Sequence, residues 1–172
     1  ALMQHFGGAE AIFKTSKDQL LRIRSIGEKL SHAIYSQSVL HLAERELNFA
    51  SKYGIKILTW YETAYPQKLK EVDDAPLVFF VKGELSTVDR PHIAIVGTRK
   101  PSSQGRRIAA EFAAYFAERG ITVVSGLAYG IDLEAHTATI GSKGNTVAVL
   151  GHGLDQIYPR IHASKAREIF EH

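Results

Sequence analysis

The chain has 172 residues, enough for one ordinary domain or a small one joined to part of a larger one. Its 45% hydrophobic content allows a packed core, and the lack of cysteine excludes disulfides and thiolate metal sites and suits a reducing cytoplasm. A net charge of +3 with a pI near 9.1 is mildly basic and does not by itself name a nucleic-acid partner. The longest apolar runs, "PLVFFV" and "IAIVG", are far too short to cross a bilayer, and no charged-then-apolar leader opens the chain.

Residues 1–52 read as a small all-helical domain. "AEAIFKTSKDQLLRIRSIGEKLSHAIYSQ" places apolar residues at three- and four-residue steps, with Thr15 and Ser16 as cap positions before "KDQLLRI". Within it "LLRIRSIGEKLSHAI" has helix–turn–helix character around Ser25, Ile26 and Gly27. It is similar to a helix-hairpin-helix, but Ser25 stands where that motif's first glycine belongs, which favours a purely structural hairpin. "SVLHLAERELNFASKYG" predicts an amphipathic helix stopped by Gly54. The start at Ala1, in an uncapped apolar pattern, and the stop at "REIFEH" predict that both ends are cuts in a longer chain.

Residues 53–172 read as α/β. "IKILTW" and "LVFFVKG" have strand character, and the Pro-bearing "YETAYPQKLKEVDDAP" between them holds a short helical piece. Strand 93–97, helix 105–119 closed by Gly120, strand 121–125, helix 131–140, strand 146–150 and a helix from near Ala163 then alternate. That order predicts parallel βαβ units with right-handed crossovers, the first half of a Rossmann-like sheet.

All three βα turns carry glycine: "GTRKPSSQG", "SGLAYGID" and "GHGLDQIYP". They converge at the carboxyl edge of the strands, where ligands of open α/β sheets bind, and the following helix N-termini offer amides to anions. A dinucleotide fits badly. Arg99 stands where the second glycine of G-x-G-x-x-G belongs, Ser102 where the third does, and the next strand ends in Ser125 instead of an acid. No Walker A loop occurs either, so no nucleotide cofactor is expected.

Arg99, two places after the strand-end Gly97, projects over the sheet edge, where its planar fork can hold a phosphate. The alternative is a structural arginine paired with Asp132 or Asp155. Thr98 and Lys100 flank it, Ser125 and Gly126 open the second turn, and Arg160 in "YPRIH" projects from the third. The segment 99–107 is purely basic, although Arg106 and Arg107 on the following helix are weaker candidates, since helix-surface arginines are usually just solvated. Asp132 and His136, four apart, could hold a metal or relay a proton; a capping Asp132 with a packed His136 is the favoured alternative. His152, Asp155 and His162 match no familiar metal spacing, Ser125 is not in a G-x-S-x-G elbow, and no catalytic constellation emerges.

Taken together, "YPQKLKEVDDAPLVFFVKGEL", "IAIVGTRKPSSQG", "VVSGLAYGIDLEAH" and "VAVLGHGLDQIYPRIH" resemble the DNA-processing protein A family (DprA/Smf) over roughly residues 61–172. The resemblance implies a cytoplasmic, non-enzymatic protein. It would bind and protect incoming single-stranded DNA and help load a RecA-type recombinase in natural transformation. By motif it carries phosphate contacts onto Gly97, Arg99, Ser125, Gly126 and Arg160. It also implies homodimerisation of the full-length protein through further strands past this chain's end, so the sheet here is expected to be half of a larger one. The rival reading is a Rossmann-related nucleoside-monophosphate phosphoribohydrolase, although the "PGGxGT" stretch and nearby glutamate of such enzymes are missing.

Overall fold

The computed structural model describes residues 2–85 and 90–171, which fall into two units, 1–53 and 54–172. The first is helical: α1 (Leu2–Phe6), α2 (Ala9–Lys14), α3 (Lys17–Leu21), α4 (Glu28–Tyr35) and α5 (Leu40–Tyr53). Ser16 starts α3 as the sequence predicts, closing a full capping box with Gln19. Ile12, Leu20 and Ile26 form the unit's core, with Phe6, Ile23 and Ile34 against them. Ile26 belongs to the α3–α4 turn, so that turn is plugged into the core. The buried Ser31 hydroxyl pins α4 to α3 by donating to the Lys17 carbonyl at 3.2 Å.

The second unit begins with β1 (Ile55–Thr59) and β2 (Val78–Lys82), an antiparallel pair in register from Ile55 opposite Lys82 to Thr59 opposite Val78. The segment joining them folds over a fully buried Tyr65, whose hydroxyl donates to Pro76 O at 2.7 Å. The rings of Trp60 and Phe79 pack on Tyr65 at 5.6 and 5.1 Å, and Lys70 Nζ lies 5.8 Å from the centre of the Trp60 ring. Gly83 (φ +92°) ends the hairpin against α8 (Ala163–Glu171); a Cβ there would stand 2.9 Å from Phe170 O.

A separate parallel sheet follows in the order β3 (His92–Ala94), β4 (Thr122–Ser125), β5 (Thr146–Ala148). α6 (Ser103–Ala117) crosses from β3 to β4 and α7 (Ile131–Gly141) from β4 to β5, and the two helices pack on each other. Small residues make this close: Ala109, Ala113 and Ala117 form the buried stripe of α6, and Ala113 joins Val123 and Ala135 in the core. The outer strands are shorter than the 93–97 and 146–150 expected. Beyond Ala94 and Ala148 only single bonds continue the ladder, Ile95 N to Val124 O at 3.0 Å and Val149 N to Ser125 O at 2.8 Å, before the chain turns away. α6 starts two residues before the expected 105, because Ser102 caps it by accepting from Gly105 N at 3.1 Å. Its far end is a Schellman closure: Gly120 (φ +71°) donates to Ala117 O and Ile121 to Phe116 O, both at 3.0 Å.

Candidate nucleic-acid interface

Three parallel strands leave their βα turns on one edge, and these turns are bonded to one another in series. The first, 97–102, is joined to the second, 126–130, by the Ile131 amide, which donates to Thr98 O at 3.2 Å. Gly130 (φ +83°) makes this approach possible, since a Cβ there would collide with the Thr98 carbonyl oxygen and lie 2.8 Å from the Arg99 carbonyl carbon. The second turn is joined to the third by the buried His162, whose Nδ1 bonds Leu127 O at 2.9 Å. The Tyr129 ring stands edge-on to the same imidazole at 5.0 Å.

In the first turn Thr98 Oγ1 accepts from the Lys100 amide at 3.1 Å, shaping the loop, while the amides of Gly97, Thr98 and Arg99 have no hydrogen-bond partner among the described residues. Arg99 and Lys100 are exposed, and among the described residues neither side chain has an ion-pair partner. The structural alternative for Arg99 is thereby answered for one partner: Asp132 accepts from Gly126 N at 3.2 Å and Ala128 N at 3.3 Å instead. Asp155 forms no ion pair with it either. Fifteen residues of helix stand behind this loop, with no acidic residue in the first turn. The unsatisfied amides of that helix end, its dipole and two unopposed cations favour an anion here.

The other candidates divide. Arg160 opens the short 3₁₀ turn Arg160–His162, exposed and without an ion pair among the described residues. Ser125 and Gly126, assigned to phosphate from the sequence, turn their donors inward. Ser125 is buried and gives its hydroxyl proton to Ile95 O at 2.6 Å, and the Gly126 amide is taken by Asp132. They shape the edge and present no donor from it. Arg106 is also engaged: packing of α6 on α7 sets its Nη1 2.7 Å from Glu134 Oε1, and Arg107 lies 3.8 Å from Glu111. The run that is purely basic in sequence therefore keeps only Arg99 and Lys100 unopposed in the fold.

His136 is a packed residue and no relay. It is fully buried, and its Nδ1 lies 2.7 Å from Thr146 Oγ1. Because that hydroxyl gives its proton to Val123 O at 2.8 Å, its oxygen accepts, so Nδ1 carries the imidazole hydrogen and Nε2 is left without a partner among the described residues. Burial pushes the His136 pKa down to about 4, against the pull of the nearby Asp132 carboxylate. Among the described residues no three His, Asp or Glu side chains gather as a metal site. Sequence reasoning passed over Gly130 and His162 as organisers of the edge; a glycine directly before a helix that lacks a side-chain cap was the available signal for the first.

The fold and this edge define a Rossmann-like α/β domain preceded by a helical unit. The family model of DNA recombination-mediator protein A matches residues 56–172. Protein Smf of Escherichia coli (strain K12) is 37% identical over 170 residues, 90% of this chain and 46% of that protein. The crystal structure of DNA processing protein A from Streptococcus pneumoniae superposes with a TM-score of 0.74 at 30% identity, over 89% of this chain and 52% of that one. DNA processing protein A from Helicobacter pylori, whose structure addresses its single-stranded DNA binding mode, superposes with a TM-score of 0.60 at 27% identity, over 69% and 53%. The chain belongs to the DNA recombination-mediator protein A (DprA/Smf) family, and it spans about half the length of these relatives.

Proposed function

We propose that this chain is a single-stranded DNA-binding part of a DNA-processing recombination mediator, and that its 97–102 loop grips backbone phosphates. The observation that carries the reading is the unopposed Arg99 on a loop of free amides, braced from behind by Gly130 and Ile131. The single-stranded DNA binding of the Helicobacter pylori relative supports the same choice of ligand. In this reading the protein performs no chemistry of its own. It holds and protects incoming single strands in the cytoplasm and, in the whole protein, acts as a dimer that hands them to a RecA-type recombinase during natural transformation. Binding is then largely independent of sequence and weakens with salt by roughly 0.7 log units per contacted phosphate per decade.

Titration of a labelled oligonucleotide, single- against double-stranded, at two salt concentrations tests this. Arg99→Ala is expected to lose about 1–3 kcal/mol at any sequence, with a shallower salt slope. Undiminished binding by Arg99→Ala, or tight binding to the duplex alone, overturns the reading. Release of free base from a nucleoside monophosphate would favour the phosphoribohydrolase instead.

A further inference from the structure

The ligand edge carries aromatic surface that the phosphate grip does not use. Tyr158 is 65% exposed, Ile161 77% and Tyr129 45%. Both rings are exposed, and Tyr129 is mounted on a fixed support. Tyr129 stands against His162, which is tied to Leu127 O. Tyr158 lies on the same turn four residues before His162, with its amide directed to His152 Nε2 at 3.4 Å. Arg160, unopposed among the described residues, sits between Tyr158 and His162 in the chain. Exposed rings interleaved with free cations match a flexible polyanion that also presents flat apolar faces. A duplex keeps its bases stacked inside, so only unpaired bases can supply those faces.

We propose that Tyr158, assisted by Tyr129, is a stacking platform for the unpaired bases of a strand whose phosphates lie on Arg160 and the Arg99 loop. The proposal rests on the single-strand reading above and adds to it the part of the ligand that distinguishes single strand from duplex. Ile161 supplies apolar surface at the same turn, and sequence tolerance follows because every base has a π-face.

The test measures binding of the 172-residue chain to a labelled oligo-dT and to an abasic oligomer of the same length and charge. The chain is expected to bind oligo-dT about tenfold more tightly than the abasic oligomer. Tyr158→Leu is expected to bring that ratio close to one, and Tyr158→Phe, which keeps the ring, to restore it. Equal affinity for the two oligomers, or a ratio that survives Tyr158→Leu, overturns the platform while leaving the phosphate grip standing. If the chain binds neither oligomer, the platform and the grip fall together.

Discussion

The carboxylate of Asp132 draws the amide of Gly126 to 3.2 Å and so turns the start of the second glycine loop away from solvent. The same oxygen takes the Ala128 amide, and between them Leu127 sits fully buried in the left-handed region at φ +59°. A non-glycine residue there costs about 1 kcal/mol or more, so the loop is held and not relaxed. Asp132→Ala is expected to destabilise the domain by about 1–3 kcal/mol, since it leaves two amides without an acceptor. Asp132→Asn should recover part of this, and urea unfolding of both variants measures it.

Gly130 tolerates no side chain. Its φ of +83° and the Thr98 carbonyl directly behind it predict that Gly130→Ala costs at least about 2 kcal/mol, from backbone strain and overpacking together. The first loop must then shift, so oligonucleotide affinity is expected to fall with stability. A variant that unfolds at the wild-type urea concentration would contradict the contact.

Arg106 and Arg99 should behave differently despite lying in one basic run. Arg106→Ala removes a partly exposed ion pair with Glu134, worth about 0.2–1 kcal/mol of stability. Its effect on oligonucleotide affinity is expected to be a small fraction of that of Arg99→Ala. Parallel anisotropy titrations of the two variants decide the matter.

Stability should fall in mild acid because of His136. Its folded pKa, about 4, lies below the ordinary histidine value of about 6.5, so between these values the unfolded chain binds the extra proton. Stability from this group is complete above about pH 6.5 and declines to roughly pH 4, by about 3 kcal/mol over the window. Urea midpoints at pH 7.5, 5.5 and 4.5 should show this slope in the wild type and a flatter one in His136→Gln.

The C-terminal closure of α7 has Lys143 at φ +55°, in the place that Gly120 occupies after α6. Lys143→Gly is therefore expected to raise stability by about 0.5–1 kcal/mol, the relief of strain outweighing the greater freedom of glycine in the unfolded chain. Thermal or urea melts give the sign directly.

What could be read from the sequence was local. Ser16 before "KDQ" and Gly120 after an apolar helix each settle a helix end within a few residues, and the alternation of apolar strands with helices requires a parallel sheet. What could not be read depended on pairs distant in the chain. Arg106 meets Glu134 only because α6 lies on α7, and Ser125 is turned toward Ile95 only because β3 and β4 run side by side. The sequence offers both residues to a phosphate, Arg106 as the weaker candidate, and does not show their partners 28 and 30 residues away. Arg99 needed no such partner, which is why its exposed, unopposed position matches what its place after Gly97 suggests.

The single tryptophan, Trp60, lies beside the antiparallel β1–β2 pair, with Tyr65 5.6 Å away and the Lys70 ammonium near its ring. It directly follows β1, whose sheet is separate from the one that carries the three glycine loops. Its emission is thus a built-in optical reporter for the hairpin, fed by energy transfer from Tyr65 and sensitive to the departure of the lysine charge. Unfolding can be followed at that indole while a dye on the oligonucleotide follows binding, so stability and affinity can be read in one cuvette without either signal standing in for the other.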